Sequence, residues 1–296
     1  MAAVAVLGSL PGCGEDGEPA SPSPPQGGDF DARRAFRDLR TQVAIGPRPA
    51  GSVASRREVG FIVRRLRAAG IRRVAVQRPH RNVVARIPGR EPGTVVVGAH
   101  HDTKDLPGFV GANDGASGVA VVLELARGLP RRLDGPAIDL VLFDAEESPR
   151  GVDFEEGGTR GSEQFVRYAR EGGRQSSPPL EAMRAMVLFD LVGDCDLEVP
   201  REANSDVGLY ELFADAAEAR NRSAEPFGGE SDGILDDHVP FLEAGVPAVD
   251  LIDFDYGPGP PPGAWFHTRR DDLERVCARS LEAVGAPALA AVQAIR

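Results

Sequence analysis

Apolar residues fall along this chain in two spacings, and their alternation predicts the architecture. Thr94 to Ala99, Ala137 to Phe143, Ala185 to Phe189 and Val246 to Ile252 are short, mainly apolar runs of the length of buried strands. Between them apolar positions recur every three or four residues, as on a helix with one buried side. Ala32 to Ala44 reads as one such helix. Ser55 to Ala69 reads as another, with Val59, Ile62, Val63 and Leu66 on its core face and Gly70 as its cap. A third begins near Ala116 and carries Val119, Val122, Leu123 and Leu125. Ile71 to Val76 and Asn82 to Ile87 predict a hairpin around Arg78-Pro79-His80. Alternating strands and helices predict an α/β fold: a single three-layer α/β/α domain with a mixed, mostly parallel central sheet. At 296 residues and 42% hydrophobic content the chain can bury one large core.

What interrupts the apolar pattern is more informative than the pattern. Thr94 to Ala99 ends in His100-His101-Asp102, and Gly-Ala-Asn-Asp114-Gly-Ala-Ser-Gly follows shortly after. Ala137 to Phe143 ends in Asp144-Ala-Glu146-Glu147, Ala185 to Phe189 in Asp190-Leu-Val-Gly193-Asp194, and Val246 to Ile252 leads through a Gly/Pro-rich loop to Phe266-His267-Thr268. In open α/β sheets, ligands collect at the C-terminal ends of the strands. A solvated charge run explains one such ending but not four. Zinc takes imidazole nitrogen and carboxylate oxygen, and a catalytic site keeps one position open. Of the five histidines, His100 and His267 lie in these motifs and His238 in Asp236-Asp237-His238, whereas His80 and His101 look incidental.

The order of motifs resembles metallopeptidase family 28, the co-catalytic zinc aminopeptidases, and its relative glutaminyl-peptide cyclotransferase. The resemblance runs from Gly46-Pro-Arg-Pro-Ala-Gly-Ser52 through H-x-D, G-A-N-D, D-x-E-E, D-L-V-G and D-D-H-V-P-F to H-T-x-x-D-D, over most of residues 40 to 285. It implies the phosphorylase/hydrolase-like zinc exopeptidase fold. It further implies that His100 and Asp190 hold one zinc, Glu147 and His267 a second, and that Asp114 bridges them. Glu146 is then the general base, and Asp102 orients the His100 imidazole from behind.

Within that resemblance, some features are peptidase-like and others cyclase-like. Asp236-Asp237-His238 has the doubled aspartate of cyclases, Lys104 followed by Phe109-Val-Gly is cyclase-like, and Trp265 lies close to the last ligand. Cyclases place tryptophan directly before that histidine, whereas here Phe266 intervenes. Asn113-Asp114-Gly-Ala-Ser-Gly118 is the peptidase form of the bridging loop, and all five ligands are present. The resemblance therefore implies an aminopeptidase with two zinc ions. The alternative is a cyclase with one zinc, forming pyroglutamate and releasing ammonia, with Asp237 in an acidic network beside Glu146. Phe266, Trp265, Asp236 and His238 are the substrate-binding candidates. A more distant alternative is a non-catalytic peptide-binding surface module.

The formal charge of −11 argues against nucleic-acid binding, and the resemblance implies a peptide or protein N-terminus as the partner. Residues 1–13, ending Leu10-Pro-Gly-Cys13, resemble a shortened lipoprotein signal. Residues 14–30 are Ser/Pro-rich and read as a flexible linker, and residues 31–296 as the catalytic domain. The expectation is an exported, cell-envelope protein that meets the membrane only through a lipid on Cys13. Cys195 and Cys277 are expected to stay unpaired, with Cys277 in a helical stretch facing the core. The proline-containing segment Tyr256 to Ala264 is expected to rim the substrate entrance.

Overall fold

The computed structural model describes residues 1–2, 28–221 and 225–296. Residues 3–13 of the expected signal segment, Cys13 included, and 14–27 of the linker lie outside the described residues. In chain order the elements are α1 (Ala32–Ile45), α2 (Val53–Ala68), β1 (Arg73–Val76), β2 (Val83–Ile87), β3 (Thr94–His100), α3 (Ala116–Gly128), β4 (Ala137–Phe143), α4 (Phe154–Gly157) and α5 (Arg160–Arg170). There follow β5 (Met183–Asp190), β6 (Val199–Glu202), α6 (Val207–Asn221), β7 (Phe227–Ser231), α7 (Val239–Glu243), β8 (Ala248–Ile252) and α8 (Ala278–Ala294).

Six strands form one sheet in the order β1-β2-β4-β3-β5-β8. β4, β3, β5 and β8 run parallel, while β1 and β2 join as the antiparallel hairpin expected from their sequence. Alternate strand residues face opposite layers. Val95, Val97, Leu140, Val187 and Leu251 pack with α1, α2, α3, α6 and α8. Val96, Val141, Met186 and Leu188 pack with Phe165 of α5 and Phe241 of α7. The result is the three-layer α/β/α arrangement with a mixed, mostly parallel sheet. The small parallel pair β6-β7 is additional; the sequence Phe-Gly-Gly-Glu-Ser of β7 carries too little apolar pattern to announce a strand.

Helix ends follow local chemistry. Asp31 accepts the Arg34 N–H and Ser52 the Ser55 N–H, capping α1 and α2. Gly70 sits just past α2 at φ 86°, where a left-handed residue ends a helix at least cost. At Gly118, in the first turn of α3, an added Cβ would lie 2.0 Å from the Phe189 carbonyl, so glycine is what lets α3 press onto β5.

One expectation is overturned. Cys195 and Cys277 form a disulfide, and Cys277 precedes α8 in extended backbone rather than lying in the helix. The cause is an antiparallel bridge between Asp194 and Val276, which sets the two Cα atoms 4.9 Å apart. That distance suits a disulfide. Among the described residues no helix is long and apolar enough to cross a membrane.

Candidate metal centre

Three parallel strands deliver ligand candidates to one edge of the sheet. His100 is the last residue of β3, Asp190 the last of β5, and Glu146 and Glu147 follow β4. Asp114 comes from the loop entering α3, and His267 from the long loop after β8. Neighbouring positions are held in the left-handed region: Ala145 at φ 61°, Leu191 at φ 48° and His267 itself at φ 51°. Non-glycine residues adopt this conformation at a cost and cluster where side chains must be aimed.

The side chains form two triads that share Asp114. His100, Asp114 and Asp190 make one, and Asp114, Glu147 and His267 the other. His100 Nε2 is 3.1 Å from Asp190 Oδ1 and 3.3 Å from Asp114 Oδ1. His267 Nε2 is 3.3 Å from Asp114 Oδ2 and 3.2 Å from Glu147 Oε1. Each oxygen of Asp114 thus faces a different triad, as a bridging ligand requires. Asp114 Oδ2 and both oxygens of Glu147 are buried without a hydrogen bond of ordinary geometry. Zinc bonds of about 2 Å in a tetrahedron separate ligand atoms by about 3.3 Å, close to the spacings here. The donor set therefore fits zinc.

Glu146 belongs to neither triad. Its backbone N–H donates to Asp102 Oδ1 at 3.1 Å, and its Oε2 stands 3.8 Å from His100 Nδ1. Asp102 Oδ1 is itself 3.7 Å from that nitrogen, so Asp102 anchors the Glu146 backbone as well as facing the imidazole. Burial, together with the charges of Glu147, Asp236 and Asp237, pushes the Glu146 carboxyl well above its ordinary range. Burial also pushes Asp236 up to about 7, assisted by Asp190, and Asp237 well above its ordinary range, assisted by Asp236. Burial lowers His267, but Asp114 and Glu147 outweigh it and raise the imidazole to about 9. Such crowding of acids suits a site built around cations.

A cavity of about 410 Å³ opens onto these groups, lined by Lys104, Asp114, Glu146, Glu147, Asp190, Asp236 and His267 and walled by Phe154, Ile234, Ile252, Phe254 and Phe266. Phe266 stacks on His267 at 3.8 Å between ring centroids. Lys104 Nζ lies 3.1 Å from Glu147 Oε2 and donates to Ser148 Oγ at 2.8 Å.

Not every expected substrate contact reaches this cavity. Trp265 lies outside it, edge-on to Tyr256 and beneath the Arg275 guanidinium at 4.5 Å. Asp237, expected in an acidic network rather than as a substrate contact, is fully buried and accepts a hydrogen bond from Ser162 Oγ at 2.5 Å. His238 is also fully buried, 3.3 Å from Glu202 and 3.6 Å from Asp250. The segment 256–264 folds back on itself, with Tyr256 N–H donating to Pro262 O and Trp265 N–H to Tyr256 O, and does not line the cavity.

Two residues with no role read from the sequence support the ligands. Asp271 accepts the N–H groups of Asn113 at 2.7 Å and Asp114 at 3.1 Å, and the Tyr256 hydroxyl at 2.9 Å. Arg48, fully buried, donates to the carbonyls of His101, Val110 and Gly111, clamping both ends of the loop between His100 and Asp114. Both stand in motifs singled out above, H-T-x-x-D-D and Gly46-Pro-Arg, but spacing alone names no partner.

Comparison with known proteins agrees with this architecture. The chain is 28% identical to the glutaminyl-peptide cyclotransferase of Drosophila melanogaster over 64% of its own length and 58% of that protein. It is 31% identical to aminopeptidase YwaD of Bacillus subtilis over 69% of its length and 41% of that protein. It thus spans less than two thirds of either relative. The crystal structure of an Acidobacteriales bacterium glutaminyl cyclase superposes with a TM-score of 0.79 at 29% identity, covering 94% of this chain and 99% of that one. Residues 82–292, which carry all five ligand candidates and Glu146, match the model of peptidase family M28, and it is to this family that the chain belongs.

Proposed function

We propose that this chain is a zinc-dependent enzyme acting on peptide N-termini, and that its reaction is cyclisation of N-terminal glutamine. The observation that carries this reading is the buried acid set beside the metal ligands. Glu146 is unligated, Asp236 lines the same cavity, and Asp237 lies directly behind Asp236 with its amide donating to the Asp236 carboxylate at 2.5 Å. Carboxyls held in or near their protonated form can give and take a proton between two nitrogen atoms. The extensive match to solved glutaminyl cyclases supports the same choice.

In this reading Asp114, Glu147 and His267 hold zinc, which when bound polarises the side-chain amide carbonyl of the substrate. The substrate α-amine attacks that amide carbon, a C–N bond closes the five-membered ring, and the bond to the amide nitrogen breaks. Glu146 takes the proton from the attacking amine and returns it to the departing nitrogen, which leaves as ammonia. Asp236 and the Glu146 carboxyl face the amine, and the walls of Phe254, Phe266 and Ile234 shed water from the amide side chain.

A second reading, release of the first residue by hydrolysis, is favoured by the complete His100–Asp114–Asp190 triad, which gives a second zinc a place. Mass spectrometry of products from the zinc-loaded protein, with one peptide beginning in glutamine and one in leucine, separates the two. Loss of ammonia from the glutamine peptide alone is expected; a freed first amino acid establishes the peptidase. Binding of both peptides without turnover leaves the surface-module reading.

The Cys195–Cys277 disulfide supports an oxidising, exported location. With it goes the proposed organisation: a lipid-anchored leader in 1–13, a tether in 14–30 and the catalytic domain in 31–296.

A further inference from the structure

The charge of this chain is divided very unevenly. Residues 32–81 contain fourteen arginines and only two acids, Asp38 and Glu58, a formal +12 within a chain of −11. Both acids are buried. Asp38 is engaged by Arg65 and Arg127, and Arg34 by Glu124 of α3, so the inner arginines are neutralised locally. The outer ones are not. Arg33, Arg37 and Arg40 recur at i, i+4 and i+7 on α1, and Arg57, Arg64 and Arg67 at i, i+7 and i+10 on α2, each stripe opposite its helix's buried side. All six are exposed, and their guanidinium groups make no ion pair or hydrogen bond among the described residues. The two helices lie in one layer and share a groove bordered by Arg37 and Arg40 on one side and Arg65 on the other.

We propose that the arginine stripes of α1 and α2 form a docking face for an anionic lipid bilayer. Three observations select this partner. The face is dominated by guanidinium groups, with Val53 and Leu273 as its large exposed apolar side chains. Unpaired guanidinium groups spread over two helices match a plane of phosphates rather than a single bound anion. The chain outside the described residues also ends here: it enters α1 at Asp31, two residues before Arg33, after an apolar segment and a Ser/Pro-rich stretch. The 25 residues outside the described part, 3–27, join the fold at Gly28, close in sequence to Arg33, so this face stays near whatever that segment is fixed to. At the exported location proposed above, lipid headgroups rather than nucleic acid are the abundant polyanion.

The test is flotation of the full chain with vesicles of phosphatidylcholine alone and of phosphatidylcholine with 30% phosphatidylglycerol, in low and high salt. The expected result is salt-sensitive binding that requires phosphatidylglycerol and falls roughly fivefold per arginine, about 100-fold in the Arg33→Gln/Arg37→Gln/Arg40→Gln variant, with its melting temperature and peptide turnover unchanged. Equal binding to both vesicles, or equal binding by the variant, would assign membrane affinity to the N-terminal segment alone and overturn the proposal. So would tight binding to duplex DNA with none to phosphatidylglycerol vesicles.

Discussion

The carboxylate of Asp271 holds the backbone N–H of Asp114, so the loop that carries His267 also fixes the ligand candidate shared by both triads. Its other oxygen takes the N–H of Asn113 and the hydroxyl of Tyr256. Replacing Asp271 with asparagine turns one acceptor into a donor facing a donor. The cost is expected at about 1–3 kcal/mol of stability, and zinc affinity should fall about 10- to 100-fold, as it does when the supports of a metal ligand are lost. Chelator competition on the purified variant measures the affinity, and wild-type zinc binding would show that Asp271 merely packs.

Glu146 stands at the centre, next to Glu147, but apart from both triads. Glu146→Gln keeps the shape and removes the base, so zinc content should be nearly unchanged while turnover drops by about 10²–10⁴. Elemental analysis beside product mass spectrometry reads both quantities. Loss of zinc in parallel with activity would make Glu146 a ligand; full activity would remove it from the chemistry under either reaction.

The ligand candidates were legible because each apolar run ends where its sheet edge begins, and His100, Glu147 and Asp190 stand at or just beyond those ends. Periodicity reports which face is buried and where an element stops. It does not report which distant segments meet. The disulfide joins residues 82 apart through a two-residue bridge between loops, and neither loop has a repeating pattern. The placement of Trp265 was illegible for a related reason: proximity in sequence to His267 suggested the cavity, but the turn at Trp265–Thr268 and the positive φ of His267 send the indole the other way. His238 was read as a substrate contact from its motif, yet of the three motif residues only Asp236 lines the cavity, with Asp237 bonded behind it.

The disulfide closes a long loop, so its removal should loosen the unfolded state. Cys195→Ser with Cys277→Ser is expected to lower stability by about 2–4 kcal/mol. The flanking hydrogen bonds, Cys195 N–H to Arg275 O at 3.0 Å and Cys277 N–H to Gly193 O at 2.9 Å, hold the same strands together without sulfur. Turnover below the melting transition should therefore stay close to wild type. Urea titration gives the stability, and an unchanged midpoint would mean the bridge adds no constraint.

Glu58 provides a pH test away from the metal ligands. It lies on α2 with neither oxygen hydrogen-bonded, and burial raises its carboxyl to about 7, against the pull of the Arg48 guanidinium. The unfolded chain releases this proton near pH 4.5, so between about 4.5 and 7 the native state binds more protons than the unfolded one. Stability from this group is complete below pH 4.5, declines as pH rises, and is fully lost above 7. At about 1.4 kcal/mol per pH unit the total is roughly 3 kcal/mol. Glu58→Gln cannot ionise and should match wild type near pH 4 but exceed it at pH 8 by up to that amount. Asp253 and Asp271, also raised to about 7, titrate in both proteins and cancel in the difference. Paired melting curves from pH 4 to 8 make the comparison; a constant offset across that range would mean that Glu58 stays ionised in the fold, with Arg48 as its full counter-charge.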